Sequence, residues 1–493
     1  MTKRLLPAVV ALALAGCAVG PDYSRPKFDM PDSWAAQNSQ PGGAVGQAAE
    51  AGWWKRFNDP VLDQLVDEAL SYNQDLAAAA ARVDQAAAQA GIARAALLPS
   101  LDYNANFTRG RVSAETAVPG TLLVSDVRTV NGVLSWELDL WGKLRRSNEA
   151  ARANFVASRY NRDAVELSLA SQVTNTYFQL RALDVQLKVT EQTLATREES
   201  LRLQQKRYRG GLISALDLHQ AESEEASSRA AVPQLKQSVE QTEHALSVLT
   251  GRSPRDLLSP TPRGKELAAM AIPPVVPEGL PSTLLTRRPD VAAAEQQLVA
   301  ANAQIGVARA AYFPTISLTG AIGSQSLSLS GLFTGPAKTW SFVGGAAGPI
   351  FNWGATGYGV DAATGGQKQA LATYQSAVQN AFRDTLDALS AINGSAKSEV
   401  GLVDQLHALR ETQRLAQLRY DNGYSSYLEV LDAERNTYSS ELNVINARLA
   451  RLNAAVSLYK ALGGGWSQAG ADAQPDRGPM TTPTLAPVAK QQG

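Results

Sequence analysis

The chain has 493 residues, with 46 Lys and Arg residues against 46 Asp and Glu residues. A net charge near zero argues against a nucleic-acid partner, because such partners favour a clear excess of basic residues. Cys17 is the one cysteine, which excludes a disulfide within the chain. After the N-terminal segment no run approaches about 18 consecutive apolar residues, so the sequence predicts no transmembrane helix there.

The N-terminus has the layout of a secretory signal. A basic start precedes an apolar run, 5–15, that is too short to stay as a membrane-spanning helix. The sequence Leu14–Cys17, Leu-Ala-Gly-Cys, resembles a bacterial lipoprotein cleavage box. This resemblance implies removal of a signal peptide 1–16, lipidation of Cys17 and, since Ala18 follows, transfer to the outer membrane. The alternative is an ordinary signal peptide in which the cysteine has no role.

Two parts of the chain are copies of one another. Residues 92–99 recur as residues 307–314 at a spacing of 215, and Trp141-Gly142 recurs as Trp353-Gly354 at a spacing of 212. Matches in one order at nearly constant spacing indicate an internal duplication, and the period is far too long for a solenoid. The chain is therefore divided into a lipidated N-terminal segment 17–58, a first copy 59–253, a Pro-rich linker 254–280, a second copy 281–463 and a flexible tail 464–493.

Each copy opens with an Ala-rich helix, expected over about 60–97 in the first copy, and continues into two strands. Period-two alternation predicts strands over about 100–112, 125–141, 314–326 and 338–351. One apolar and one polar face suit either two soluble hairpins on a hydrophobic core or a barrel between lipid and water. Four strands cannot close a barrel, for which about eight are needed, so a barrel requires several chains.

Long helices follow the strands in both copies, over 142–250 and 354–462. The first begins with a stretch free of internal Pro and Gly that would form a rod of about 100 Å. A seam typical of a coiled coil recurs there every seven residues, at Leu180, Leu187, Leu194, Leu201 and Tyr208. The last helix carries an apolar seam that only Arg435 interrupts, and the matching helix of the first copy uses another frame. The copies are expected to share their turns and to bury different faces.

Several segments resemble the outer-membrane efflux factor family, the TolC/OprM-type ducts, in its lipoprotein branch. They are residues 17–23, 53–57, 136–142, 280–282 with 287–290, and 420–432. The resemblance extends from Cys17 to about Gly463. It implies a mixed α and β fold in which three chains, with four strands each, form a trimeric 12-stranded membrane β-barrel. This barrel would continue into a long α-helical coiled-coil barrel with a small mixed equatorial domain around its waist.

The same resemblance implies a function. The chain would be the outer-membrane exit duct of a tripartite efflux pump, passively conducting drugs or other small molecules from the periplasm to the exterior. Its expected partners are two further copies in a homotrimer, outer-membrane lipid, a periplasmic adaptor (membrane fusion) protein and an inner-membrane pump of the resistance-nodulation-division (RND) class. A duct for type I protein secretion or metal export, and a lipid-anchored coiled-coil scaffold without a pore, stay open as alternatives.

In the family that the chain resembles, the adaptor contacts the periplasmic turns between long helices. The matching residues here are Gly210, Gly211, Leu212, Asn422, Gly423 and Tyr424. The resemblance also implies a periplasmic gate, for which Tyr420, Glu429 and Asp432 are the candidates, with Ser425 in place of the usual basic residue. Glu429 and Asp432 share a helix face, where threefold symmetry would stack two rings of carboxylates. Ser426 and Glu429 also have the spacing of a capping box, so Glu429 is open to either role.

Sequence motifs for enzymatic chemistry are not found. The chain has no P-loop, no HExxH, no GxSxG and no paired-cysteine metal site. The three histidines, His219, His244 and His407, stand alone in the sequence. The sequence therefore predicts neither an enzyme nor a cofactor.

Overall fold

The computed structural model describes residues 18–27, 52–116, 118, 120, 123–255, 260–273 and 288–464. Cys17, the signal peptide 1–16 and residues 465–493 lie outside the described residues. In chain order the helices and strands are α1 (Pro60–Tyr72), α2 (Gln74–Ala95), β1 (Ser100–Arg111), β2 (Val124–Leu138), α3 (Lys143–Arg209), α4 (Ala215–Leu249), α5 (Pro289–Ala310), β3 (Thr315–Ser326), β4 (Lys338–Ala347), α6 (Ala355–Asp421) and α7 (Tyr427–Ala461). Two strands and two long helices per copy confirm the predicted fold class for one chain.

The opening helix of the first copy is two helices rather than the single helix predicted over about 60–97. The Asn73 side chain begins α2 by accepting hydrogen bonds from the N–H groups of Asp75 at 2.9 Å and Leu76 at 3.1 Å. Its amide also donates to the carbonyl of Leu249 at 2.9 Å, which fixes the bend against the end of α4. Asparagine is a favoured helix N-cap, so the chain breaks here although its apolar periodicity continues.

The four strands form one antiparallel sheet in the order β1-β2-β3-β4. Leu101 of β1 lies opposite Leu134 of β2, Leu134 lies opposite Gly320 of β3, and Gly320 lies opposite Phe342 of β4. The pairing of β2 with β3 joins the first copy to the second. The two hairpins therefore belong to one continuous surface.

The register places most of the large apolar side chains on one face of the sheet and most of the polar side chains on the other, because residues directly opposite share a face. Arg109, Asp126 and Arg128 share the apolar face at the end of the sheet away from the helices. The apolar face carries Leu101, Tyr103, Phe107, Val130, Leu134, Trp136, Ile316, Leu318, Ile322, Trp340 and Phe342. The polar face carries Asp102, Asn104, Asn106, Thr108, Thr129, Asn131, Ser135, Glu137, Ser317, Thr319, Thr339 and Ser341. Tyr103 is 88% exposed and Trp340 is 80% exposed. A soluble hairpin would cover such a face with a core, so the structure disfavours that alternative.

β2 ends at Leu138, before the predicted end at about 141, because residues 139–142 form the bend that leads into α3. The two carboxylate oxygens of Asp139 accept hydrogen bonds from backbone N–H groups of the first helical turn at 3.0 and 2.8 Å. Trp141 donates from Nε1 to the carbonyl of Pro314 at 2.8 Å and stacks on Phe313. These contacts tie the start of α3 to the start of β3.

β4 ends at Ala347, before the predicted end at about 351. Gly348 passes so close to the chain before β3 that a Cβ there would lie 2.9 Å from the Cα of Pro314. Phe351 and Trp353 follow, with ring centroids 4.9 Å apart, and Trp353 is 86% exposed. Exposed aromatic side chains at the base of the sheet are typical of a membrane–water interface.

α3 and α6 each have 67 residues, which gives rods of about 100 Å at 1.5 Å per residue. Each turns back into a helix of 35 residues. None of the described helices combines the length and apolar character needed to cross a membrane. α5 packs against α3 through the small side chains of Ala150, Ala153, Ala300 and Ala303, which allow the two helix axes to approach closely.

A hydrophobic core near the middle of α3 holds the residues that precede α1. Trp53 is buried there and stacks on Tyr459 of α7. The fully buried carboxylate of Asp59 accepts hydrogen bonds from the Tyr177 hydroxyl at 2.8 Å and from the Lys265 N–H at 3.0 Å. Burial raises the pKa of the Tyr177 phenol, and Asp59 adds to the shift. Residues 260–273 thus lie against the long helices at the waist.

Candidate functional site at the helical tips

The two turns that join the long helices have the same hydrogen-bond pattern. Leu212 and Gly211 each donate their N–H to a carbonyl in the last turn of α3 at 2.9 Å, and Tyr424 and Gly423 repeat both bonds at 2.9 Å on α6. Gly211 and Gly423 have φ values of 69° and 76°. This is the Schellman motif, which ends a helix with one left-handed residue. No atom lies within 4 Å of a Cβ built at either glycine, so backbone conformation rather than crowding favours glycine.

The tips present large apolar side chains to solvent. Leu212 is 77% exposed and Tyr424, its equivalent in the second copy, is 78% exposed. The six predicted tip residues all lie at these two exposed turns: Gly210, Gly211, Leu212, Asn422, Gly423 and Tyr424. Exposed apolar side chains grouped at one end of a molecule are typical of a protein contact site.

The predicted capping box at Ser426 and Glu429 does not form. Ser426 begins α7 without a side-chain hydrogen bond, and the Glu429 carboxylate lies 3.8 Å from the Arg419 guanidinium. In the first copy the equivalent box forms, with the Asp217 carboxylate accepting from the Ser214 N–H at 3.2 Å. Arg419 pairs with Glu429, whereas Arg207, the equivalent arginine of α3, donates a hydrogen bond to the Tyr420 hydroxyl. Both members of the Arg419–Glu429 pair are about half exposed, so the pair contributes little to stability.

Tyr420 joins the end of α6 to α3. Its hydroxyl accepts a hydrogen bond from Arg207 Nη1 at 3.0 Å and lies 3.3 Å from the side-chain amide of Gln204. The Arg207 guanidinium lies 5.3 Å from the centroid of the Tyr420 ring, at cation–π distance. Tyr427 packs beside Tyr420 with ring centroids 5.4 Å apart. Tyr420 therefore makes an inter-helix contact within one chain, whereas its role as a gate residue stays a prediction.

Glu429 and Asp432 are both exposed on the same side of α7. Asp432 accepts a hydrogen bond from Asn436 at 3.1 Å, one turn further along the helix. The opposite side of this turn, Val430 and Leu431, is buried against α4. The two carboxylates thus point away from the chain's own core, as a role in a symmetric ring requires.

A polar track runs along the buried side of α3, at Thr190, Arg197 and Gln204. Each member bonds to another helix: Thr190 lies 2.9 Å from the Tyr438 hydroxyl, and Arg197 lies 3.0 Å from Glu224. The predicted leucine seam occupies a different stripe, and its members after Leu180 are not fully buried in one chain: Leu187, Leu194, Leu201 and Tyr208. Buried polar side chains need partners, and α4, α6 and α7 supply them here.

A buried carboxylate, Glu224 of α4, lies between two arginines. Arg197 of α3 approaches it at 3.0 Å, and Arg435 of α7 donates from Nε at 2.7 Å. Arg197 also donates to the Ser228 hydroxyl at 2.8 Å. The side chains of Arg197 and Glu224 are 7% and 10% exposed. Side chains of α3, α4 and α7 thus meet at the Glu224 carboxylate. The sign of this cluster in the sequence was Arg435, which interrupts the apolar seam of α7.

A second acid lies in the same region. Burial raises the pKa of the Glu434 carboxyl; Arg197 opposes this shift and Glu224 adds to it. Glu434 and Glu224 therefore share the positive charge of Arg197. The region couples the α3–α4 pair to the helix that carries Glu429 and Asp432.

The two copies in the sequence both match one family. The model of the outer membrane efflux protein family matches residues 65–252 and 280–464. The chain belongs to this family. The matched ranges correspond to the two copies, which confirms the predicted duplication.

Relatives match the chain over almost its whole length. It is 38% identical over 471 residues to the probable efflux pump outer membrane protein TtgC of Pseudomonas putida, covering 94% of this chain and 96% of the relative. It is 35% identical over 467 residues to the cation efflux system protein CusC of Escherichia coli, covering 94% and 99%. The crystal structure of the Campylobacter jejuni CmeC outer membrane channel superposes with a TM-score of 0.86 at 28% identity, covering 92% of this chain and 96% of that chain.

Family membership confirms the predicted function. The chain is the outer-membrane channel component of an efflux system, and its helical part extends into the periplasm. Proteins of this family are channels rather than enzymes, in agreement with the sequence.

Replacement of the Glu224 carboxylate should destabilise the packing of α3, α4 and α7 near the tip. Glu224→Gln should lower the free energy of unfolding by about 3 kcal/mol, because the buried Arg197 then lacks the carboxylate with which it forms an ion pair. Glu222→Gln is the matched control, since Glu222 pairs with His219 on the surface, and it should cost less than about 1 kcal/mol. Denaturant titration followed by helical circular dichroism measures both, and equal shifts would contradict the role given to Glu224.

Proposed function

We propose that three copies of this chain form the exit duct of a tripartite efflux pump. Their sheets join into one 12-stranded barrel in the outer membrane, and their long helices enclose a tunnel through the periplasm. Small molecules pass through the duct passively. The observation that carries the proposal is the four-stranded sheet, which is apolar on one face, polar on the other and open at both edges.

The open edges support a shared barrel. Within the described residues β1 and β4 each pair on one side only. Backbone N–H and C=O groups in the hydrocarbon core need protein partners, so an open sheet edge is not tolerated there. Pairing β1 of one copy with β4 of the next satisfies both edges, and repetition of this one contact closes a ring. Three copies exceed the minimum of about eight strands, which a single copy does not reach.

The faces of the sheet assign its orientation. The apolar face meets lipid, and the polar face lines a water-filled lumen. Cys17, which lies outside the described residues, carries lipid in this proposal. The support is the resemblance of Leu14–Cys17 to a lipoprotein cleavage box.

The tips are the proposed contact site for a periplasmic adaptor. Leu212 and Tyr424 offer exposed apolar side chains at equivalent positions of the two copies. Six such tips in a trimer would give a regular ring of contacts. The adaptor links the duct to an inner-membrane pump of the RND class, which supplies the energy that a passive duct lacks.

The cargo in this proposal is small molecules. One relative is named for an efflux pump and another for cation efflux, which supports small solutes rather than proteins. A duct for type I secretion or metal export would use the same channel and differ in its partners. Isolation of the complex from cells distinguishes these by the class of inner-membrane protein that accompanies the duct.

The gate in this proposal is formed by Asp432 and Glu429 from three chains, with Tyr420 holding the tip closed. Both carboxylates are exposed on one side of α7, where symmetry would bring like charges together. Repulsion between them would favour cations at the entrance. Arg419 lies near Glu429, and Arg435 interacts with Asp432, so each carboxylate has one basic neighbour in its own chain.

Electrical recording tests the proposed function. Detergent-solubilised protein with the mass of a trimer, inserted into planar bilayers, should give discrete single-channel conductance steps. A lipid-anchored scaffold without a pore would give none, and that result would overturn the proposal.

Substitution on the sheet tests its orientation. Leu318→Arg places a charge on the lipid face and should cost about 2–4 kcal/mol near mid-bilayer, whereas Thr319→Arg on the lumen face should be mild. The yield of trimer in the outer membrane measures the difference. Equal tolerance of both variants would show that these strands do not face lipid and water.

Substitution at the gate tests the carboxylate ring. Asp432→Ala should lower cation selectivity and raise conductance, because it removes three charges from the entrance of a trimer. Gln220→Ala, at the equivalent position of the first copy, is the control and should change neither. Single-channel recording in asymmetric salt measures both quantities. Unchanged selectivity in Asp432→Ala would remove this residue from the gate.

A further inference from the structure

A short N-terminal segment, residues 18–25, lies along α5 and is called the strap here. At its start, the Val19 N–H donates to the carbonyl of Trp141 at 3.0 Å, beside the junction of β2 and α3. Further along, Asn302 of α5 donates to the carbonyl of Pro21 at 2.9 Å. At its end, Arg25 donates from Nε to Glu295 of α5 at 2.6 Å. Contacts at both ends and in the middle fix the register of the strap.

The lengths of the strap and of α5 agree. From Gly20 to Arg25 an extended chain advances about 17 Å, at about 3.3 Å per residue. From Gly306 to Glu295 a helix also spans about 17 Å, at 1.5 Å per residue. The strap therefore runs along α5 as an extended chain whose length matches that of the helix segment it covers.

Two glycines allow this close approach. Gly20 has φ of 117°, and a Cβ built on it would lie 2.6 Å from the Cα of Gly306. A Cβ on Gly306 would lie 2.8 Å from the carbonyl oxygen of Val19 and 2.8 Å from Cγ of Arg146. A side chain at either glycine would thus push the strap away from α5.

Charged contacts hold both margins of the strap. Glu295 is 8% exposed; it accepts from both Nε and Nη2 of Arg25 and from the Tyr23 hydroxyl at 3.1 Å. Such bidentate, charge-assisted pairs are strong and directional. On the other margin, Asp22 accepts from Arg146 of α3 at 2.5 Å. The strap thus connects a helix of the first copy to a helix of the second.

The polar residues of α5 that bind the strap have no polar equivalents in α2, the matching helix of the first copy. At the spacing of 215, the first-copy equivalents of Glu295 and Asn302 are Ala80 and Ala87. Gly91, the equivalent of Gly306, has no atom within 4 Å of a built Cβ. The polar partners of the strap are therefore not a by-product of the duplicated helix.

We propose that the strap is a fixed-length spacer that holds Ala18 at the junction of β2 and α3, where it lies against Gly142. It rests on the proposed lipidation, and it sets where the lipid on Cys17 enters the membrane, next to the base of the sheet. Glu295 and Gly306 are positioning residues: they act on the lipid through the register of the strap.

A disulfide trap tests the register. Pro21→Cys with Asn302→Cys should form a disulfide rapidly on mild oxidation, since these residues are in direct contact. Pro21→Cys with Ala87→Cys, at the equivalent position of α2, is the matched control and should form none. Comparable trapping by both pairs, or by neither, would overturn the proposal.

The positioning residues are tested in the first pair. Glu295→Gln should slow disulfide formation about tenfold, the scale expected for loss of a charge-assisted pair. Gly306→Val should slow it at least as much, whereas Gly91→Val should leave the rate unchanged. If Gly306→Val yields no folded protein, Glu295→Gln carries the test alone. An unchanged rate in Glu295→Gln would show that this residue does not hold the strap.

Mass spectrometry of the same samples separates this proposal from the lipidation on which it rests. Lipidated Cys17 with a selective trap supports both. Unmodified Cys17 with a selective trap would overturn the lipid role and leave the strap as a staple between the two copies. Lipidated Cys17 without selective disulfide formation would overturn the proposed role of the strap and leave the proposed lipidation supported.

Discussion

The structure depends on how the outer edges of β1 and β4 satisfy their backbone hydrogen bonds. In the described part of one chain each of these strands pairs on one side only. In a membrane each unpaired N–H or C=O group costs several kcal/mol, so one copy of this sheet is not a stable membrane structure. A shared barrel removes both edges. It also explains why large apolar side chains such as Tyr103 and Trp340 are exposed in the single chain, since lipid rather than protein covers them.

Duplication supplies two similar turns, but the copies have diverged in what they bury. Arg197 and Gln204 of α3 are polar and buried, and their second-copy equivalents at the spacing of 212 are Leu409 and Ala416. Polar residues in a helical seam fix register at a cost in stability. The first copy thus holds the tip in register, whereas the second copy provides the exposed carboxylates, including Asp432. The charge shared by Arg197, Glu224 and Arg435 joins these two roles in one place.

Local patterns were sufficient to predict the strands, the long helices and the turns. The alternation that begins at Leu101 is read within one strand, and Gly211 and Gly423 mark left-handed residues without reference to any neighbour. Features that depend on distant partners were not predicted. The helix break at Asn73 depends on a hydrogen bond to the end of α4. The Glu429 carboxylate lies near Arg419 across the turn instead of capping its own helix. The polar track of α3 depends on partners in three other helices. The same limit applies to the roles proposed for the tip and gate residues, because their proposed partners are other chains.

In a closed ring of three chains, β1 of one copy pairs with β4 of the next. Asn104→Cys in β1 combined in turn with Thr339→Cys, Ser341→Cys or Val343→Cys in β4 tests it, since all four positions lie on the polar face of the sheet. After oxidation, denaturing electrophoresis should show a covalent trimer as the largest species for at least one of these pairs. Covalent products that stop at the dimer, or ladders that extend beyond the trimer, would contradict a closed ring of three chains.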